Sequence, residues 1–74
     1  SYDHPVVFFE STHRIMKTLT ALTEVDVTTV AIAREITKLH EEFVTGTAAE
    51  VLEYFTEHPD HQKGEFVVMV TPTV

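Results

Sequence analysis

The sequence predicts a small α/β (α+β) domain: a split β-α-β-β-α-β arrangement with two helices packed on one face of a four-stranded mixed sheet. Three observations predict it. Apolar runs of strand length, Val6–Phe9 and Phe66–Val70, stand near the two ends of the chain. Segments with apolar residues at helical spacing alternate with strand-like segments. The 74 residues leave room for one domain, 1–74, and no more.

The elements follow in order. His4-Pro5 opens Val6-Val7-Phe8-Phe9, rich in β-branched and aromatic residues, which predicts a strand over 6–10. Ser11 or Thr12 is the expected N-cap of the next segment. Ile15, Leu19 and Leu22 recur at i, i+4 and i+7 and predict a helix over about 13–24. Thr29-Val30-Ala31-Ile32-Ala33 reads as the second strand. Residues 34–41 are polar without clean periodicity, and they read as a strand end and a connecting loop. A short third strand covers 42–46 and stops at Gly46.

Thr47-Ala48-Ala49-Glu50 is a capping box, in which the hydroxyl accepts from the N3 amide and the glutamate reaches back to the cap amide. Ala48, Val51, Leu52 and Phe55 continue at helical spacing, so a helix is expected over about 48–57, ending before His58-Pro59. Residues 59–64 form a loop, and Glu65 to Thr71 is the last strand. The first and last strands are apolar on both faces, whereas a solvated sheet face alternates with polar residues. A partner surface or a second copy covering the second face is one reading. Central strands with ends covered by loops is the other.

The composition excludes several classes. With no cysteine there is no disulfide and no thiolate metal site, which fits a reducing cytoplasm. No apolar run approaches the roughly 18 residues of a membrane span, and nothing resembles a signal peptide. The first residue is Ser1 rather than Met, as expected of a piece of a longer protein. The net charge is −7 and there is no basic stripe, so contact with nucleic acid needs a local patch or a basic neighbour. His58-Pro59-Asp60-His61 lacks a second ligand pair, and no metal site is expected. Gly46 and Gly64 are the only glycines, so there is no Gly-rich phosphate loop.

Two charged clusters hold the remaining chemistry. The first runs from Glu10 to Arg14, where a buried strand turns into a helix. Strand carboxyl ends and helix N-termini are places where α/β proteins take ligands. Arg14 offers a bidentate clamp for an anion, and His13 offers an imidazole for proton exchange. The alternative is an Arg14–Glu10 ion pair with Ser11 capping the helix. The second cluster, Arg34 to Glu42, follows a strand and mixes both signs of charge. A solvated loop is its alternative.

These residues carry a resemblance. Phe8-Phe9-Glu10-Ser11-Thr12-His13-Arg14, then Ala31-Ile32-Ala33-Arg34-Glu35-Ile36-Thr37-Lys38-Leu39-His40-Glu41-Glu42, then Gly46-Thr47, then Lys63-Gly64-Glu65-Phe66-Val67 resemble the bacterial 16S rRNA ribose 2′-O-cytidine methyltransferases, a branch of the tetrapyrrole-methylase superfamily. The likeness covers nearly the whole chain with its motifs in order. Members often carry Ala-Pro before His-Arg, where this chain has Ser11-Thr12.

The resemblance implies a two-domain enzyme dependent on S-adenosylmethionine, of which this chain is most of the C-terminal subdomain. It implies a missing N-terminal domain with a glycine-rich loop, a cytidine of 16S rRNA as substrate in the interdomain cleft, and a homodimer. The isolated segment is then expected to be inactive. By the same resemblance Glu10, His13 and Arg14 line the substrate side. Ala33, Arg34, Glu35, Thr37 and Lys38 border the cleft, and Glu41 and Glu42 orient the cations. Methyl transfer is an in-line displacement that needs alignment and help with one proton, for which His13 and Glu10 are the candidates. Two alternatives are a non-catalytic module that dimerises through its open sheet face and a tetrapyrrole-type methylase with another substrate.

Overall fold

The computed structural model describes residues 5–25, 27–37 and 40–72. The elements run β1 (Val6–Ser11), α1 (Ile15–Leu22), β2 (Val27–Thr37), β3 (His40–Gly46), α2 (Ala48–Glu57), a 3-10 turn (Pro59–Gln62) and β4 (Glu65–Pro72). The expected β-α-β-β-α-β order is therefore present.

The strands form one sheet in the order β1-β4-β2-β3. All three neighbouring pairs are antiparallel, so the sheet is not mixed as expected. The reason lies in the split arrangement. β1-α1-β2 is a parallel crossover unit with β4 inserted between its strands. β3-α2-β4 is a second such unit with β2 inserted. Each insertion converts a parallel relationship into two antiparallel contacts.

The largest correction concerns residues 34–41. Residues 34–37 and 40–41 are not a loop but belong to β2 and β3, with Arg34 opposite Glu42 and Glu35 opposite Glu41, while residues 38 and 39 lie outside the described residues. The third strand accordingly starts at His40 rather than residue 42. Period-two alternation continues through this stretch, but an arginine occupies the inward position, so hydropathy does not reveal it.

Helix α1 is shorter than expected and begins differently. Arg14, not Ser11 or Thr12, holds the N-cap position, and no side chain caps the helix. Ser11 instead completes β1, and residues 12–14 make a turn closed by Arg14 N–H donating to Ser11 O at 3.0 Å. The hydroxyls of Thr20 and Thr23 donate to the carbonyls of Met16 and Thr20. Such back-bonding does not favour a helix. Packing of Ile15 and Leu19, both fully buried, holds it in place. Helix α2 has the expected bounds and both hydrogen bonds of its capping box. The loop expected over 59–64 begins as the 3-10 turn, entered through Pro59.

Both helices cover one sheet face. The core between them contains Ile15, Leu19, Val30, Ile32, Ala48, Val51, Phe55, Phe66, Val68 and Val70. Phe55 and Phe66 meet edge to face with ring centroids 5.9 Å apart. The other face has no covering element among the described residues. No helix among those residues is long and apolar enough to cross a membrane.

Phe55 is, with Phe66, one of the two largest fully buried side chains, and it ties α2 to β4. Phe55→Ala is expected to cost about 3–5 kcal/mol. In urea unfolding this appears as a fall in midpoint at unchanged slope, and a midpoint within error of wild type would contradict the packing.

Candidate functional site

The two charged clusters meet at one end of the sheet, at the carboxyl ends of β1 and β2. Register explains how. Glu10, Phe66, Arg34 and Glu42 lie side by side across β1, β4, β2 and β3 on the helix-covered face. Ser11, Glu65, Glu35 and Glu41 form the matching row on the open face.

Arg34 is buried, with 5% of its surface exposed. Its Nε donates to Glu42 Oε1 at 2.8 Å, and its NH1 donates to the Lys63 carbonyl at 2.8 Å. A buried guanidinium is tolerable only when paired and hydrogen-bonded in this way. The second oxygen of Glu42 accepts from Tyr54 Oη at 2.5 Å, and His61 Nδ1 lies 2.7 Å from it. An ionised carboxylate only accepts, so His61 carries its proton on Nδ1 in this contact. His58 stacks on the Tyr54 ring at 4.4 Å between centroids.

This arrangement acts on the Glu42 carboxyl in two directions. Burial alone raises its pKa. Hydrogen bonds from Tyr54, Arg34 and His61, together with the Arg34 charge, outweigh burial and hold it below the usual 4.5. The Tyr54 hydroxyl is pushed above its usual 10.0, chiefly because it donates to Glu42.

The first cluster is joined to the second through Lys63-Gly64. Thr12 Oγ1 donates to the Gly64 carbonyl at 2.9 Å and accepts from the Gly64 N–H at 3.0 Å. Gly64 has φ +120, and a Cβ there would stand 2.6 Å from the Glu35 carbonyl oxygen. Only glycine fits both demands. Thr12 therefore clasps the same loop that Arg34 holds from below. A proline at position 12 has no hydroxyl and could not make this clasp.

Glu10 is half-buried and accepts a short hydrogen bond from the Thr18 hydroxyl, while Arg14 Nε stands 3.9 Å from its other oxygen. Arg14 is otherwise open to solvent, with 75% of its side chain exposed. His13 is exposed on the same turn. A recess of about 540 Å³ lies here, lined by Phe9, Glu10, Ser11, Arg14, Glu65 and Phe66. Beside it on the open face is a smaller hollow of about 110 Å³, which Ala33, Glu35, Glu41 and Glu65 help to line.

The sequence-derived site residues thus divide. Glu10 and Arg14 line the recess, and His13 is exposed on the turn that carries Arg14 without lining it. Ala33, Glu35 and Glu41 face the open side, whereas Arg34 and Glu42 brace the interior. Thr37 ends β2, and its side chain and the whole of Lys38 lie outside the described residues. Tyr54, His61, Thr18 and the Thr12–Gly64 clasp escaped the sequence reading. Glu42 shares inward parity with Val44, and that was the one signal available. Among the described residues, no three His, Asp or Glu side chains are grouped so as to hold a metal ion.

The Glu42 assembly has a definite acid response. Its folded pKa is depressed, so its contribution to stability is complete above about 4.5 and is lost as pH falls through the lower folded value. Glu42→Gln is expected to be less stable at neutral pH and to show a flatter decline of urea midpoint between pH 5 and 3, in roughly that window. A variant that keeps the wild-type acid slope would contradict the assignment.

No family model matches the chain. Individual relatives do. Ribosomal RNA small subunit methyltransferase I of Bacillus subtilis (strain 168) is 39% identical over 66 residues, 88% of this chain and 22% of that protein. The protein of the same name from Coprothermobacter proteolyticus is 42% identical over 69 residues, 92% of this chain and 29% of its own length. That of Haemophilus influenzae is 37% identical over 70 residues, 92% of this chain and 25% of its own length. The chain thus spans about a quarter of the length of the curated relatives it matches. The alignments reach across both charged clusters and the loop that joins them, and the chain is similar to a segment of the ribosomal RNA small subunit methyltransferase I proteins.

Proposed function

We propose that the chain is the C-terminal part of a two-domain methyltransferase of the tetrapyrrole-methylase superfamily, acting in the cytoplasm as a homodimer. The parent enzyme transfers a methyl group from S-adenosylmethionine to the ribose 2′-hydroxyl of a cytidine in 16S rRNA. The observation that carries this reading is the 36–42% identity to ribosomal RNA small subunit methyltransferases I along about nine tenths of the chain.

The recess at the β1–α1 corner has a suitable chemistry. Phe9 offers a ring face to a base, Ser11 and Glu65 offer partners to ribose hydroxyls or to a cation, and Arg14 offers a fork for a phosphate. The carboxylate, hydroxyl and aromatic set fits a cationic nucleoside such as S-adenosylmethionine. When bound, that cofactor supplies an electrophilic methyl group. The residues of this chain orient the reacting groups from one side and hold the entering strand through Arg14. His13 and Glu10 are the proton-accepting candidates nearest that corner. The segment alone presents one wall of a cleft and is therefore expected to be inactive.

The exposed apolar sheet face favours a second reading, a non-catalytic module that pairs with another surface. A tetrapyrrole-type substrate would keep the cofactor chemistry and change the acceptor.

Arg14 separates these readings cleanly because it is exposed and bears little on folding. In the full-length protein, Arg14→Ala is expected to lower kcat/KM for methylation of small ribosomal subunits by about ten- to a hundredfold, with unchanged melting temperature. Wild-type rates from this variant would remove Arg14 from the site. Absence of methylation by the wild-type protein would remove the function.

A further inference from the structure

The open face of the sheet carries an arrangement that extends beyond the recess, with which it shares Phe9 and Glu65. Phe9, Val67, Ala33 and Phe43 form one lateral row, and Val7, Met69, Ala31 and Thr45 form the next. Phe9 is 82% and Phe43 71% exposed, and Val7 and Met69 also reach solvent. Three strand spacings of about 4.8 Å separate the two phenylalanines by about 14 Å, with the small floor of Ala33 and the half-buried Val67 between them. An apolar band of this kind on a soluble domain marks an interaction surface.

The adjoining row is acidic. Glu65, Glu35 and Glu41 are laterally adjacent on β4, β2 and β3, and all three are exposed. Like charges directly opposite one another are destabilising, and a facing cation relieves them. No ion pair among the described residues involves any of the three. Arg14, the described cation that shares a recess with Glu65, is turned toward Glu10.

This composition selects the occupant. An RNA backbone is repelled by the acidic row. A second copy must meet this face with the same face, because a two-fold interface is self-complementary. The described residues of the face include no lysine or arginine, so none of them on a second copy matches the acidic row. The occupant is a different surface, apolar at its centre and basic along one rim. The relatives are three to four times longer than this chain, which covers only 22–30% of them. We infer that the open face is covered by a basic-rimmed apolar surface belonging to the remainder of the same polypeptide. This rests on the proposed function only in taking the chain as part of a longer protein of that length.

The test uses the full-length protein in a background without other cysteines, since this segment has none. Thr45→Cys places a thiol on the open face, and Glu53→Cys places a control on the exposed side of α2. Alkylation by a small maleimide is expected to be at least about tenfold slower at position 45 than at 53, at a rate unchanged by hundredfold dilution. Adding Glu35→Lys and Glu41→Lys is expected to remove that protection at low salt. Equal rates at 45 and 53 would overturn the covering. Protection that disappears on dilution would assign the face to a second copy and overturn the same-chain occupant. Protection that survives both charge reversals would overturn the basic rim. Phe43→Cys, on the same face, repeats the measurement should Thr45→Cys fail to fold. All outcomes are read without methylation activity, so they are independent of whether the proposed reaction is correct.

Discussion

A single carboxylate, Glu42, gathers Arg34, Tyr54 and His61 from β2, α2 and the 3-10 turn. The rest of the candidate site depends on this contact. Arg34 would be an intolerable buried charge without it, and without Arg34 the Lys63 carbonyl loses its donor. Lys63 and Gly64 in turn set the loop that Thr12 clasps from the β1–α1 turn. The exposed end of this chain of contacts is His13 and Arg14, where a ligand would be met. The interior end is a fully satisfied polar network. No buried side-chain nitrogen or oxygen among the described residues lacks a partner.

This changes the meaning of the two charged clusters. They are not two independent edges of a cleft but one assembly with an inner brace and an outer surface. Arg34 holds the Lys63 carbonyl, and Glu42 holds Arg34. Arg14 and His13 face solvent, with Glu10 fixed beside them by Thr18. A substitution at Arg34 therefore reports on folding before it reports on any reaction, whereas a substitution at Arg14 does not. The acidic row on the opposite face belongs to neither role. It adjoins the apolar band and speaks to what covers the sheet.

Much of the fold was legible in the sequence because it depends on local rules. The Thr47–Glu50 capping box, the Ala48, Val51, Phe55 stripe and the apolar β1 and β4 runs each carry their own signal. Residues 34–37 and 40–41 were not legible as strand, because an inward arginine looks like a break in the pattern until its partner is known. That partner, Glu42, lies eight positions away, and Tyr54 and His61 lie 12 and 19 positions from Glu42. Thr12 was read as a helix cap, which is its commonest local use, but its hydroxyl is taken by Gly64, 52 positions along the chain. Periodicity carries no information about such distant pairs. The open apolar face was legible from Val7, Phe9, Val67 and Met69, but the acidic row beside it required the register.

The dependence of one cluster on the other is tested most directly by a double-mutant cycle between Thr12→Val and Arg34→Gln. The two side chains do not bond to each other, and they act on neighbouring residues of one loop. If the loop joins the clusters, the unfolding free energies are non-additive by about 0.5 kcal/mol or more, the second substitution costing less once the first has released Gly64. Additivity within about 0.3 kcal/mol would show two independent features and would contradict the single assembly described above.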